Sequence, residues 1–207
     1  MLRTKGNGLK TNLLMISISN YKVYDLKESV IACRNAMRVD LPQYSESEFL
    51  ESLERAKKLV RHGGGSGHTN FRKGIRVSFD VKYPNYFSPE LQRYGFLDIV
   101  CSSSKMHKLC TMNMDVCFNK YVTELSKQQM KELVAQYNND KTYDSFMRML
   151  SNCPQGIELF MRCSTNYEQL ATIYKQRRGH RLKEDWGAFC DFIESLPYAK
   201  ELITCKE

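Results

Sequence analysis

Three stretches of this 207-residue chain concentrate side chains that could do chemistry. The first is His62-Gly63-Gly64-Gly65-Ser66-Gly67-His68-Thr69. Glycine lets the backbone approach an anion and aim successive N–H groups at it. Two known motifs come close, and neither fits. A P-loop needs Lys where His68 stands, with a strand before it and a helix after. Here a helical pattern precedes and a strand pattern follows. The His-Gly-Gly-Gly loop of esterases needs a downstream Gly-x-Ser-x-Gly elbow, which the chain lacks. The stretch reads as a helix-to-strand connection or as a phosphate contact.

The second stretch is Gln92-Arg93-Tyr94, followed by Cys101 to Lys108. Hydroxyls of Ser102, Ser103 and Ser104, with Lys105, His107 and Lys108, make a dense set of phosphate donors. A solvated loop capped by serine reads the same way. The third stretch, Tyr174 to Lys183, holds Arg177, Arg178, His180 and Arg181. Arginine grips a phosphate through two parallel N–H bonds, which lysine cannot do. A nucleic-acid patch or a basic helix end favoured by the helix dipole remains open.

No Ser-His-Asp arrangement follows from spacing. The four histidines would need acids from distant segments to hold a metal, so no metal site is expected. Eight cysteines include no C-x-x-C pair, which removes support for a zinc ribbon or thioredoxin-type redox pair. They are expected to be reduced and to pack as small apolar residues. The balance of 31 basic to 23 acidic residues, a net +8, favours an anionic partner: nucleic acid, a nucleotide or a phosphorylated cofactor.

These groups need a scaffold. At 42% hydrophobic and 26% charged, the chain is globular in composition. A chain of this length buries roughly 70% of its extended surface without staples. Residues 1–12 are polar and predict a flexible N-terminus, and residues 13–207 predict a single domain. No apolar run approaches the ~20 residues of a membrane span. No secretory signal pattern is visible, so a cytoplasmic protein without membrane contact is expected.

Leu13 to Val23 predicts a strand, and Ser29 to Met37 a short helix. Ser45 and Glu48 predict a capping box for a helix through Val60, stopped by Gly63, Gly64 and Gly65. Alternation from Ile75 to Val81 predicts a half-buried strand, ended by Pro84. Ser88 and Pro89 predict the start of a helix through Leu91, Tyr94, Leu97 and Val100. The remainder predicts helices: Ser126 to Tyr137 with a Ser126–Gln129 box, Thr142 to Leu150, one from Thr165 through Arg177 capped with Glu168, and one carrying Trp186 to Ile193. Few strands early and helices late make an α+β fold, a small sheet packed with several helices and a helical C-terminal half.

In their order along the chain, these pieces resemble the flavin-dependent thymidylate synthases (ThyX-like proteins). His68-Thr69-x-Phe71, running into the strand, looks like that family's His-Thr-x-Phe. Leu91-Gln92-Arg93-Tyr94-Gly95 falls where the family places its Arg-His-Arg signature. Ser104-Lys105-Met106-His107 falls near its closing Ser-x-Arg-Tyr. Thr165-Asn166, Arg177-Arg178, His180 and Asp185-Trp186 resemble its late helix and the segment after it. The resemblance runs from about His68 to Ile193 and extends to phage-encoded proteins.

The resemblance implies a homotetramer that binds FAD and deoxyuridine monophosphate. It implies transfer of a one-carbon unit from methylene-tetrahydrofolate to the uracil ring, with NADPH as reductant. His68, Arg93, Arg177 and His180 would contact the flavin cofactor. Ser103, Ser104, Lys105 and His107 would face the nucleotide. Asn166 and Arg178 would lie at the flavin ring and pyrimidine as the catalytic pair. The chain departs from the pattern where Tyr94 and Gly95 follow Arg93, and where Met106 replaces the closing arginine. Losing bidentate arginines is not conservative. The alternative is a non-catalytic basic phage protein that binds nucleic acid or a host factor, in the host cytoplasm.

Overall fold

The computed structural model describes residues 15–62 and 67–205. The expectations for residues 1–12 and for Gly63, Gly64 and Gly65 lie outside the described residues.

Apolar alternation builds one antiparallel sheet from β1 (Ser17–Tyr24), β2 (Arg76–Pro84), β3 (Asp98–Ser102) and β4 (Glu158–Asn166), in the order β1-β2-β4-β3. Nine residues pair between β2 and β4, from Arg76 opposite Asn166 to Pro84 opposite Glu158. Val77, Phe79, Val81 and Tyr83 of β2 point inward with Leu159, Met161, Cys163 and Thr165 of β4, and all are buried. The opposite face carries ion pairs, Arg76–Asp98 at 3.3 Å and Arg162–Asp80 at 3.1 Å. Both edge strands are interrupted by register shifts, which blunt open edges against pairing with other chains.

Helices cover the inner face. These are α1 (Leu26–Ala32), α2 (Glu46–His62) and α3 (Phe71–Gly74), then α8 (Tyr167–Arg177) and α9 (Lys183–Ser195). One buried cluster joins them to the strands. Phe79 meets Phe189 and Phe192 at 5.8 and 5.2 Å. Between β2 and β3 lies the single turn α4 (Ser88–Leu91). A second, smaller buried cluster organises the lobe of α5 (Lys105–Lys108), α6 (Glu124–Asp140) and α7 (Tyr143–Ser151). Gly156 lets this lobe close on the sheet: a Cβ there would lie 2.8 Å from Asn119 Oδ1.

The α+β expectation holds, with local corrections. Val100 is not the end of a helix; α4 stops at Leu91 and residues 98–102 form β3, because pairing with β4 outweighs the helical spacing of Leu91, Tyr94 and Leu97. The C-terminal half is mostly helical, as expected, and also carries the central strand β4. Ser126 is not an N-cap; Thr123 accepts from the Ser126 N–H at 3.2 Å. Thr165 is not the cap of α8 either. Asn166 accepts from the Gln169 N–H at 2.9 Å, while Thr165 donates to the Phe96 carbonyl. The Ser45 box is half made: Ser45 accepts from the Glu48 N–H, but the Glu48 carboxylate pairs with Arg38. A π-helical turn, Lys200–Thr204, closes the described chain.

Arg72 ties α3, α8 and that last turn together. Its side chain is 8% exposed, with Nε 2.6 Å from Glu168 Oε2 and Nη1 donating to the Leu202 carbonyl. Removing the acid strands a buried cation. Glu168→Ala should therefore cost about 3 kcal/mol in urea unfolding, more than Arg72→Met, which leaves a carboxylate that water can reach. Equal or reversed losses would contradict this reading of the pair.

Candidate functional site

The first concavity sits where β4 becomes α8. A cavity of about 490 Å³ opens there, lined by Lys73, Arg76, Phe96, Asn166, Glu168, Gln169 and Thr172. Asn166 is buried because it caps the helix, using its carbonyl oxygen. Gln169, one turn on, accepts from the Phe96 N–H with its own carbonyl at 3.3 Å. Both acceptors are thereby spent on backbone. Among the described residues, neither carboxamide NH2 has a protein partner, and neither is a buried orphan. The exposed ring of Phe96 forms a wall, and Lys73 has no acidic partner among the described residues. A cavity lined by amide donors, cations and an aromatic face suits a carbonyl-rich heterocycle with an anionic tail.

The second neighbourhood lies at the far end of α8, about 16 Å away at 1.5 Å per residue. Arg177 is fixed there: Nε donates to Tyr94 Oη at 2.7 Å, Nη1 lies 2.8 Å from Glu90 Oε2, and the guanidinium sits 4.7 Å from the Trp186 ring. Arg93 is gathered at the same acid more loosely, 3.8 Å from Glu90 Oε1 with its side chain 72% exposed. Arg178 faces α9 instead, 2.6 Å from Asp191 and 3.4 Å from Glu194. His180 Nδ1 accepts from the Leu182 N–H, leaving Nε2 to donate. A concavity of about 270 Å³ is lined by Arg177, Arg178, Gly179, His180, Lys183 and Gly187.

The third neighbourhood is the turn after β3. Ser103 is used by the sheet: its N–H donates to the Phe160 carbonyl, and its hydroxyl accepts from the Phe160 N–H. Ser104 and His107 bond to each other at 2.9 Å. Lys105 has no acidic partner among the described residues. Since Ser103 meets β4 at Phe160 and the strand ends at Asn166, about 20 Å of sheet separates this turn from the first cavity. His68 is exposed after Gly67, in the rim of a groove of about 1040 Å³ between α1 and α2.

One chain therefore gathers Arg93, Arg177, Arg178 and His180 at the α8–α9 turn. It gathers Ser103, Ser104, Lys105 and His107 at another place, and leaves Asn166 and His68 apart from both. Sequence reasoning did not select Phe96, Gln169 or Lys73. Gln169 was findable, because a capping residue presents the side chain three positions later to the same end of the helix.

Burial governs the remaining titratable groups. It pushes the Cys163 thiol up to about 12 and those of Cys33, Cys117 and Cys190 up to about 11, so these thiols are not nucleophiles at neutral pH. Asp185 in the first turn of α9 is 3% exposed. Burial raises its pKa despite hydrogen bonds from Tyr86 Oη at 3.1 and 3.4 Å. Among the described residues, no three His, Cys, Asp or Glu side chains gather as for a metal, and no helix is long and apolar enough to cross a membrane.

No protein-family model matches the sequence, and no curated protein matches it. The fold does match solved structures. A flavin-dependent thymidylate synthase, ThyX from Helicobacter pylori complexed with FAD and dUMP, superposes with a TM-score of 0.67 at 14% identity, over 92% of this chain and 98% of that one. A UMP/dUMP methylase, PolB from Streptomyces cacaoi bound with 5-Br dUMP, gives 0.62 at 12% identity, over 92% and 95%. The chain has a ThyX-like fold, as the order of its motifs implied.

Two measurements test the site as described. Arg177→Ala should cost about 2 kcal/mol or more in unfolding free energy, because it removes a desolvated guanidinium from Tyr94, Glu90 and Trp186. Arg93→Ala should stay within about 0.5 kcal/mol. The second concerns Asp185. Its pKa is raised on folding from 3.8, so the folded state holds its proton more tightly. The penalty is absent below 3.8 and grows as pH climbs through the raised value. Asp185→Asn should thus melt at or above the native temperature at pH 7, with the gap closing near pH 3. A variant less stable at pH 7 would show that the carboxylate's bonds outweigh its burial.

Proposed function

We propose that the chain is a diverged relative of the flavin-dependent thymidylate synthases that binds FAD and a pyrimidine nucleotide and methylates dUMP or a related uracil nucleotide. One observation carries this reading: the donor-lined cavity at Asn166, set in the fold of a synthase complexed with FAD and dUMP. The donor set fits a flavin. Two carboxamide NH2 groups suit its ring carbonyls, and Lys73 adds a cation at the same opening. When bound, the flavin supplies redox chemistry that the side chains cannot. Methylene-tetrahydrofolate would supply the one-carbon unit and NADPH the electrons.

The side chains divide the remaining work. Asn166 orients the flavin ring through its NH2. Arg93 and His180 hold cofactor phosphates, with Arg177 bracing them from behind, and His68 contributes from the α2–α3 connection. Ser104, Lys105 and His107 take the nucleotide phosphate, with Ser103 fixing their turn to the sheet. Arg178 stabilises negative charge developing on the uracil. Because about 20 Å of sheet lies between Asn166 and the serine turn, a complete site needs neighbouring copies. A homo-oligomer, the tetramer of the resemblance, supplies them.

A non-catalytic reading has its own support. Lys175, Arg181 and Lys183 have no acidic partner among the described residues, as a nucleic-acid surface requires. That reading calls for DNA or RNA binding that weakens steeply with salt.

The test is a visible spectrum of the purified protein mixed with FAD, followed by addition of dUMP. Flavin retention after gel filtration and a spectral shift with dUMP are expected. Asn166→Asp keeps the cap on Gln169 but removes both N–H donors, so it should lose flavin binding by about tenfold or more with melting unchanged. A colourless protein whose melting point ignores every pyrimidine nucleotide would overturn the proposal.

A further inference from the structure

The loop before β3 holds one residue more firmly than the packing of the chain requires. Phe96 belongs to neither buried cluster, and it is 68% exposed. A lone exposed phenylalanine is ordinary; the way its backbone is held is not. The Phe96 N–H donates to Gln169 Oε1 at 3.3 Å, and its carbonyl accepts from Thr165 Oγ1 at 2.8 Å. Both partners are buried, and both come from the junction of β4 and α8, on either side of Asn166. The flanking Tyr94 and Leu97 are buried as anchors, with the Leu97 N–H donating to the Tyr94 carbonyl at 3.0 Å.

Two buried polar side chains therefore use their hydrogen bonds to fix the main chain under a ring that stands in water. The fold gains little apolar burial from that ring. A flat ligand gains more, because a surface whose backbone is already set costs little further ordering on binding. The cavity at Asn166 is where such a ligand would lie. Phe96 is the one aromatic residue that lines it, and Thr172, on the same opening, has its hydroxyl engaged by the Glu168 carbonyl.

We propose that Phe96 is the stacking platform for the flavin ring in this cavity, with Thr165 and Gln169 as the positioning residues that hold it. The inference rests on the flavin reading and deepens it. An NH2 donor such as that of Asn166 addresses the edge of the ring and selects which carbonyl is bonded. An aromatic face sets the tilt of the ring, through the offset or edge-to-face contact that aromatic pairs prefer.

The experiment measures FAD affinity of the full chain and the fluorescence lifetime of the bound flavin. Phe96→Ala should bind FAD about tenfold more weakly, with melting unchanged because the side chain is exposed. Phe96→Leu, which keeps apolar bulk without a ring, should also lose affinity, whereas Phe96→Tyr should keep it. Phe96→Trp should retain FAD and shorten the flavin lifetime, because an indole in contact quenches excited flavin by reversible electron transfer and a phenyl ring does not. Trp186 is fully buried and common to both proteins. Thr165→Val should weaken FAD binding about threefold in the native background and not at all in the Phe96→Ala background; a merely structural threonine would act equally in both. Native FAD affinity in a folded Phe96→Ala protein, or an aliphatic residue that serves as well as an aromatic one, removes this proposal and leaves the flavin reading standing. Failure of the native protein to take up FAD removes both.

Discussion

The nine-residue ladder between β2 and β4 is the constraint on which the candidate site depends. It fixes Arg76 beside Asn166 at one end and Pro84 beside Glu158 at the other. Register in a strand is all or none, because a one-residue slip turns every buried side chain outward. With Val77, Phe79 and Val81 facing Cys163 and Met161 in the core, the slip is forbidden. The ladder then delivers Asn166 to the N-terminus of α8, while the serine turn meets β4 at Phe160, toward the strand's other end. The separation of the two donor sets is thus built into the sheet, and the proposed reaction would need a neighbouring copy to bring them together.

Charge partners decide what each arginine does. Arg177, Arg178 and Arg93 look alike in sequence. Arg177 is consumed by a tyrosine, a glutamate and a tryptophan face. Arg178 is held by two acids of α9. Arg93 keeps most of its surface in water. A guanidinium already satisfied by a short ion pair gives up that pair to bind a phosphate, so weakly held cations are the better anion ligands.

Much of the scaffold was legible in the sequence. The alternation of β2, the helical spacing of α2 and the late helices appear where burial is one-sided and periodic. The failures have physical causes. β3 carries Ile99 and Val100 behind an apparent helical spacing, and only pairing with β4 makes it a strand. In β4, Leu159, Met161 and Cys163 alternate, but Phe160 between them is apolar and exposed, which hides the period. Thr165 and Asn166 are both good caps; the sheet register, invisible in sequence, assigns the cap to Asn166. Local clusters such as Ser103 to His107 were legible because they are contiguous. The distances between clusters were not, and those distances determine whether one chain or several build a site.

The claim that copies share one site is open to subunit complementation. Two variants that each abolish the dUMP-induced shift of the flavin spectrum, one at Asn166 and one at Ser104, would be unfolded together, refolded together and scanned again. Shared sites predict that the mixture regains part of the shift, because some interfaces unite an intact Asn166 from one copy with an intact Ser104 from another. A mixture as silent as either variant alone, despite confirmed hetero-oligomers, would contradict the account.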